Sequence, residues 1–527
     1  MDKVIKFLIQ RKLEILAGFL IIAGYFVTRL INLDILPVFA DEAIYVRWSQ
    51  VMRAEPSLRF LPLSDGKTPL FMWATIPLLK FFLTNPLLAG RFLSVIAGFG
   101  TLIGIFATSR FLFGKKVALI ASVFYVAVPY TFFFDRMALV DSLLNFWGIW
   151  ALFLTILLAK NPRLDLAMIL GGVIAAGVLT KPSGWFFLIM MPVSMILFNF
   201  KKPFGVRLAK LLGLWVIVGV IAIIGYSALR LGPNFQLIAA RNRDYVFTLA
   251  EAAKHPLDPL MSHLREIWDW FGTLLTWPIF LAAIAGAAFS IWKRNKVLLF
   301  ILIWAAVPLL IQAEIAKVFT ARYLIFNATP LIFLSAVFTA FAFDFVAKRF
   351  SAKGGPAFGW KFSFYPLLIL LLILPSIFIF NALTDPAKAS LPREERSGYL
   401  EEWTAGYGIK EVAEFIKGRA KTHKIVVGTE GFFGTLPDGL QIYLEGVANV
   451  TVLGIGVPVT GPTQSLLNSL VDSEVYLVAN DTRITFESSP NLDLIAKYPK
   501  PAKPDGTKES LLLFRVQGLR SGSSIKK

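Results

Sequence analysis

Two acidic sites stand out in a chain that is otherwise strongly apolar. Asp41 and Glu42 are adjacent in the segment ADEAIYVRW, shortly after the first long apolar run, and Asp141 lies inside the apolar segment LVDSLLNFW. A carboxylate at or within a bilayer is costly and usually faces protein or water, so each could be a general base or a metal ligand. Each could also lie in the first turn of a helix, where a carboxylate satisfies free N–H groups and complements the helix dipole.

Several cations accompany these carboxylates at the ends of apolar runs or in the loops between them. They are Lys67, Lys181, Arg230, Arg241, Arg243, Lys317 and Arg322. Arg binds phosphate through paired hydrogen bonds and Lys binds it as a point charge, so this group predicts an anionic partner, with phosphate as the natural candidate. A carboxylate would deprotonate an acceptor hydroxyl, and the cations would stabilise charge on a lipid-linked phosphate. The sequence has no glycine loop of the kind that cradles nucleotide phosphates, which favours a donor delivered by a lipid.

The composition indicates a polytopic α-helical membrane protein. Of the 527 residues, 56% are hydrophobic, and the mean hydropathy is +0.66. A soluble domain rarely reaches such values. The net charge of +19 is better explained by basic cytoplasmic loops than by a nucleic-acid partner. The absence of Cys excludes disulfides and Cys nucleophiles, and the three His residues show no metal-ligand spacing.

Eleven apolar runs are long enough to cross a bilayer, which takes about 20 helical residues. The predicted spans are 13–31, 87–113, 117–134, 138–159, 164–181, 184–200, 210–229, 276–292, 297–313, 323–346 and 364–382. Basic segments occur in alternate loops, which places the N-terminus in the cytoplasm and the C-terminus outside. All the cations named above then lie on the outer side. The predicted organisation is a membrane domain over 1–382, with outer loops 32–86 and 230–275, and an extracytoplasmic domain over 383–527.

The C-terminal region predicts a small soluble α/β domain. GIKEVAEFIKGRA, residues 408–420, has helical periodicity, and KIVVGT, VTVLGI and EVYLVAN predict short buried strands. The final segment 521–527 predicts a disordered tail.

The ordered set of these segments resembles a known family. ADEAIYVRW, GKTPLFMW, DRMALVDSLLNFWGIWALF, GVLTKPSGW and RYLIFNATPLIFL follow one another within residues 10–345. Together they resemble the GT-C integral membrane glycosyltransferases, especially the protein O-mannosyltransferases and the bacterial aminoarabinose transferases that modify lipid A. The resemblance implies transfer of a sugar from a polyprenyl phosphate to an acceptor hydroxyl outside the cytoplasmic membrane.

The resemblance also implies roles for the three carboxylates. Asp41 corresponds to the family's first-loop Asp, which we expect to act as the base or to orient the acceptor. Glu42 lies beside it and either helps to form the floor of the site, holds a positive group or caps the helix. Asp141 corresponds to the family's acidic residue at the start of the fourth span.

The cations correspond to the family's contacts with the donor phosphate. Lys67 matches the family's Lys before a Pro in the first loop, but GKTP stands here where the aminoarabinose branch has Glu-Lys-Pro, which weakens any inference about the sugar. Arg322, with Lys317 nearby, matches the outer Arg before a Tyr. The Arg of the middle outer loop is either Arg241 or Arg243.

Other functions are compatible with parts of this pattern. A transporter or lipid flippase would also carry charged residues in apolar segments, although transporters usually have internal repeats and broken helices near the midplane. In a metal-dependent oligosaccharyltransferase, Asp41, Glu42 and Asp141 would share a divalent cation, the one cofactor we consider possible, and EDTA would inhibit. An inert scaffold would not need the outer cations.

The sequence does not specify the sugar, and the acceptor is a protein, a lipid or a glycan. Membrane lipids are expected partners and nucleic acid is not. The compact loops and the lack of a sugar-binding β-trefoil favour a prokaryotic inner membrane. The C-terminal domain either recognises the acceptor or packs over the active site.

Overall fold

The computed structural model describes residues 12–200, 203–351, 359–486 and 490–518. The chain forms two compact units. The helical unit comprises residues 1–33, 59–71 and 91–392, and the sheet unit comprises residues 34–58, 72–90 and 393–527. The predicted tail at 521–527 lies outside the described residues. The division into domains at residue 382 remains a prediction.

Helices dominate the described residues. They are α1 (Lys12–Leu30), α2 (Ala40–Ala54), α3 (Leu70–Thr75), α4 (Leu87–Leu112), α5 (Lys115–Ala127), α6 (Pro129–Phe134), α7 (Val140–Lys160), α8 (Leu164–Thr180), α9 (Trp185–Met190), α10 (Phe204–Ser227), α11 (Leu237–Tyr245), α12 (Leu249–Lys254), α13 (Asp258–Leu274), α14 (Trp277–Trp292), α15 (Lys296–Ile315), α16 (Ile325–Ser351), α17 (Gly359–Thr384), α18 (Arg393–Arg396), α19 (Ile409–Ala420), α20 (Asp438–Leu444) and α21 (Gln464–Ser469). The strands are β1 (Val38–Phe39), β2 (Ala405–Gly406), β3 (Ile425–Thr429), β4 (Val450–Gly454), β5 (Glu474–Asn480), β6 (Leu492–Pro499) and β7 (Ser510–Val516).

Six helices in the described part of the chain are long and apolar enough to cross a membrane. They are Lys12–Leu30, Leu87–Leu112, Val140–Lys160, Phe204–Leu231, Lys296–Ile315 and Ala321–Arg349. The pair α13 and α14 passes the same test together but is bent by 119°. The shorter apolar helices Leu164–Thr180, Pro182–Leu197 and Leu368–Thr384 overlap three further predicted spans. The predicted span 117–134 is divided at Pro129 into α5 and α6. The predicted helical class is confirmed, and the number of spans remains a prediction.

Small residues let α8 and α10 pack closely. A Cβ atom added to Gly171 would lie 2.7 Å from the Ile221 Cβ, and one added to Gly225 would lie 2.5 Å from the Ala175 Cβ. Both distances are well inside van der Waals contact. Helices in a bilayer associate largely through such close packing, so these glycines hold α8 and α10 together.

A buried Arg holds the C-terminal end of α1. Arg136 is 2% exposed, and its guanidinium donates hydrogen bonds of 2.6 to 2.9 Å to the carbonyls of Thr28, Arg29, Ile31 and Asn32. The last carbonyls of a helix have no partner within it, and a cation there complements the helix dipole. Arg136 therefore fixes the point at which the chain leaves its first apolar helix.

The sheet unit contains a mixed sheet with the strand order β4-β3-β5-β7-β6. β4, β3 and β5 are parallel, and β7 is antiparallel to both of its neighbours. Val426, Leu477, Leu512 and Phe514 are among the buried residues of its apolar core. The predicted helix is α19 and the three predicted strands are β3, β4 and β5, so the predicted α/β fold of this region is confirmed. β6 and β7 were not predicted.

Candidate active site

The acidic pair lies in the first turn of α2, within the sheet unit. The Glu42 Oε2 accepts a hydrogen bond of 3.0 Å from the Phe39 backbone N–H, and Glu42 is fully buried. This is the reach-back contact of an N-terminal helix cap. Asp41 is partly exposed. Of the two carboxylates, Glu42 is therefore the one that caps the helix, and Asp41 is the more exposed.

C-terminal residues of the sheet unit hold α2 at both ends. β1 pairs with β2 in antiparallel register, and the Ala40 N–H donates to the Thr404 carbonyl at 3.1 Å. Near the other end of the helix, the Gln50 Nε2 donates to the Ile442 carbonyl at 2.9 Å. The helix that carries the acidic pair thus takes its position from chain segments more than three hundred residues away in sequence.

Asp438 is a buried carboxyl of α20, and the charge of Arg47 on α2 acts on it. Its Oδ2 accepts a hydrogen bond of 2.8 Å from the Gly434 N–H. Burial raises the pKa of Asp438 from 3.8 to about 6, and the Gly434 N–H and Arg47 offset this only in part. Because the pKa is raised, the favourable contribution to stability is complete below the unfolded value of 3.8 and is lost as the pH rises through about 6.

We expect Asp438→Asn to stabilise the protein at neutral pH. The ionised carboxyl costs up to about 3 kcal/mol there, since one pKa unit corresponds to about 1.4 kcal/mol. The amide oxygen of Asn can still accept from Gly434 without carrying a charge. Thermal unfolding in detergent, measured between pH 4 and 8, should show a raised Tm at pH 7.5 and a flatter pH profile. Asp493→Asn, at an exposed position of β6, is the control and should change neither; an unchanged profile in Asp438→Asn would contradict the prediction.

Asp141 and Lys181 form an ion pair in the helical unit. Asp141 lies in the first turn of α7, and Lys181 directly follows α8. The Lys181 Nζ is 2.7 Å from the Asp141 Oδ1, and the two side chains are 18% and 2% exposed. The same Nζ lies 3.6 Å from the centroid of the Tyr323 ring, in a cation–π contact. The predicted site carboxylate thus has a cation partner that the sequence had already singled out.

The turn that carries Tyr323 also carries Arg322. Both lie in the 3₁₀ turn Ala321–Leu324 before α16, and Arg322 is 9% exposed. The guanidinium carbon of Arg322 lies 5.2 Å from the centroid of the Tyr323 ring. The Tyr130 hydroxyl donates a hydrogen bond to the Ala321 carbonyl and so ties this turn to α6. Asp141, Lys181, Arg322 and Tyr323 are referred to below as the Asp141 cluster.

A second charged cluster of the helical unit centres on Asp65. The Lys67 Nζ is 3.4 Å from one oxygen of Asp65, and the Arg241 Nη2 is 2.6 Å from the other. Arg241 also pairs with Asp244 at 2.9 Å. Gly66 makes the turn between Asp65 and Lys67, with a φ of +69° that favours glycine. Its missing Cβ leaves room for Arg241, whose Cβ would be only 2.6 Å away.

Lys317 interacts with the end of α11, the helix that also carries Arg241. Its Nζ donates to the Arg243 carbonyl at 2.9 Å, and its backbone N–H donates to the Tyr245 carbonyl at 2.8 Å. An ammonium group at this end of a helix satisfies a free carbonyl and complements the dipole. This contact gives Lys317 a structural role that the sequence did not indicate.

The structure therefore sorts the predicted site residues into groups. Lys67 and Arg241 share Asp65, Arg243 and Lys317 meet through a backbone carbonyl, and Arg322 lies in the Asp141 cluster. Asp65 was missed, because Asp-Gly before Lys67 is typical of a turn and gives no sign of a distant Arg partner. Their roles in catalysis or donor binding stay predictions.

A divalent cation would need several oxygen or nitrogen ligands close together. Within the described residues, no three His, Asp or Glu side chains are grouped so that they could hold a metal ion. Glu42, moreover, uses one of its oxygens to cap α2. The described residues therefore do not fit a divalent cation.

Comparisons with known proteins agree with this architecture. Residues 66–228 match the family model of dolichyl-phosphate-mannose-protein mannosyltransferases. The fold is similar to ArnT from Cupriavidus metallidurans in the apo state, with 14% identity, a TM-score of 0.57 and coverage of 96% of this chain and 98% of that one. The same protein bound to undecaprenyl phosphate gives 14% identity, a TM-score of 0.52 and coverage of 95% and 98%.

A more distant similarity extends to the apo form of the Archaeoglobus fulgidus oligosaccharyltransferase. The identity is 14%, the TM-score 0.50, and the match covers 88% of this chain and 69% of that one. A search of curated protein sequences gives no significant match. The predicted resemblance is confirmed: the chain is a multi-pass membrane protein with the GT-C fold of ArnT and a segment that matches the mannosyltransferase family model.

Proposed function

We propose that the protein is a glycosyltransferase that moves a sugar from a polyprenyl-phosphate donor to an acceptor hydroxyl. The observation that carries this proposal is the Asp141 cluster. Three distant parts of the chain bring a buried carboxylate, two cations and an aromatic ring together where apolar helices begin and end. Charged side chains beside apolar helices lower stability, so their grouping here supports a reaction in which a charged group is bound or formed. The proposed donor class is supported by the similarity to the ArnT fold and by the undecaprenyl phosphate bound to that protein.

Asp41 is the base in this proposal. Its carboxylate takes the proton of the acceptor hydroxyl as that oxygen attacks the anomeric carbon of the sugar. The bond between the anomeric carbon and the phosphate oxygen breaks, and polyprenyl phosphate leaves with the bonding electrons. A single base and a good leaving group are enough for such an inverting displacement. Glu42 contributes by fixing the first turn of α2.

Cations of the helical unit neutralise the phosphate in this proposal. Arg322, Lys67 and Arg241 are the principal candidates, because their charged groups meet other side chains rather than ending a helix. Arg241 is preferred to Arg243 because it shares Asp65 with Lys67. Lys317 holds the Arg243 carbonyl, so its contact with the phosphate would be secondary.

The reaction would take place on the outer face of the cytoplasmic membrane. The alternation of basic loops along the sequence supports this orientation, with the C-terminal region on the extracytoplasmic side. The acceptor would be a protein, a lipid or a glycan of that compartment.

A transfer assay tests the proposal. Purified protein in detergent would receive polyprenyl phosphates carrying different radiolabelled sugars, with lipid, protein and glycan fractions of bacterial envelopes as acceptors. We expect release of polyprenyl phosphate and transfer of label for one donor. If no donor is consumed while labelled lipid crosses the bilayer of reconstituted liposomes, the protein is a transporter and the proposal fails.

A further inference from the structure

A buried polar link joins two neighbouring strands of the sheet unit at their carboxyl ends. Glu430 directly follows β3, and Asn480 ends β5. The Glu430 carboxylate accepts from the Asn480 backbone N–H at 2.6 Å and from its Nδ2 at 2.7 Å. Both residues are almost fully buried. Two hydrogen bonds to one carboxylate fix the orientation of the Asn480 amide and turn its Oδ1 away from Glu430.

Lys500 extends this link from the sheet to a separate segment of backbone. Lys500 follows β6 and is 2% exposed. Its Nζ donates to the Asn480 Oδ1 at 2.6 Å and to the Glu402 carbonyl at 2.8 Å. Burial lowers the pKa of Lys500 to about 8, although the Glu509 and Glu430 carboxylates oppose this shift. Burial of an ammonium group lowers stability through desolvation, and one of the hydrogen bonds of this buried group goes to the Glu402 carbonyl.

The segment held by Lys500 leads directly to the acidic pair. Two residues after Glu402, the Thr404 carbonyl accepts from the Ala40 N–H, and Ala40 immediately precedes Asp41. The next two residues form β2, which pairs with β1. The contacts therefore run without a break from the carboxyl ends of β3 and β5, through Lys500, to the backbone at the start of α2.

We infer that Lys500, oriented by Asn480 and Glu430, is a positioning residue that holds segment 402–406 against β1 and so fixes the direction of the Asp41 carboxylate. This inference rests on the proposed role of Asp41 as the base. It gives the C-terminal domain a function in catalysis that needs no contact between that domain and the donor.

Replacement of Lys500 tests the inference by two independent readouts. Lys500→Met keeps most of the side-chain volume and removes both hydrogen bonds. We expect faster amide hydrogen exchange at residues 38–42 and 402–406, and a fall in kcat of about 10- to 100-fold with little change in the donor KM, because a small misplacement of a reacting group costs about this much. Lys497→Met, at an exposed position of β6, is the matched control and should change neither readout.

A cross-link distinguishes positioning from other effects of the substitution. The chain has no Cys, so an F39C/A405C pair would be its only thiols. Phe39 and Ala405 are paired residues of β1 and β2, and both positions already carry a Cβ. Oxidation should restore kcat in the Lys500→Met background, and reduction should abolish the rescue. A cross-link that forms without restoring kcat would overturn the inference.

The remaining outcomes separate this inference from the proposed function. If Lys500→Met does not fold, Glu430→Gln removes one acceptor from the Asn480 link and should produce the same changes to a smaller degree. Unchanged exchange at 38–42 in a folded variant would overturn the inference, whatever the activity. Failure of the wild-type protein to transfer any sugar would refute the proposed function, while the exchange measurement would still report on the link itself.

Discussion

Asp41→Asn is expected to lower kcat by about 10²- to 10⁴-fold while the KM for the donor stays close to that of the wild-type protein. Asn has nearly the same shape as Asp but cannot accept a proton, so the acceptor hydroxyl would have to attack without a base. Asp41 is the partly exposed member of the pair, and its helix is held by backbone contacts that the substitution leaves in place. The rate of donor consumption under saturating acceptor is the measurement.

Glu42→Gln is the control for this experiment. Gln retains a carbonyl oxygen that can accept from the Phe39 N–H, so the cap on α2 should persist in weakened form. We expect a loss of stability of about 1 kcal/mol and a much smaller loss of kcat than in Asp41→Asn. Asp41→Asn protein that unfolds at the wild-type temperature and retains wild-type kcat would refute the assignment of the base and leave the class of enzyme standing.

The sequence predicted those parts of the fold that have a local signal. The parallel strands β3, β4 and β5 are short apolar runs between turn residues, and α19 has a clear helical period. β1 and β2 are two residues long and exist only because each pairs with the other across the length of the chain. No local pattern could have shown that the acidic pair and the C-terminal region belong to one compact unit.

For the candidate site too, the sequence indicates which charged residues are unusual but not which of them contact each other. Asp141 and Lys181 could be selected individually, because a charge beside an apolar run is costly wherever it occurs. Their pairing depends on how α7 and α8 pack, and the sequence contains no measure of that packing. Lys317 was grouped with the phosphate-binding cations by its location, and the structure adds a contact that the sequence could not show, because its ammonium group donates to the Arg243 carbonyl near the end of α11. Its role in donor binding stays a prediction.

The Asp141–Lys181 pair should give the largest effect on stability. Asp141→Asn removes the carboxylate 2.7 Å from the Lys181 Nζ, and Lys181→Met leaves a carboxylate that is 2% exposed without that cation. Removing one partner of a buried pair costs about 3 to 5 kcal/mol, and the partial exposure of Lys181 should bring Asp141→Asn to the lower end of this range. Thermal unfolding in detergent and donor turnover would be measured for both variants. Asp165→Asn is the control, because it breaks the exposed pair with Arg163 and should change the stability little.

The double variant Asp141→Asn/Lys181→Met separates a packing role from a catalytic one. Neutralising both partners leaves no unpaired charge, so most of the lost stability should return. Turnover should stay low, because a charged pair that takes part in the reaction cannot be replaced by neutral side chains. Recovery of stability without recovery of turnover is therefore the expected result. If turnover returned together with stability, the pair would serve only to join α7 to the end of α8, and Asp141 would have no place in the proposed active site.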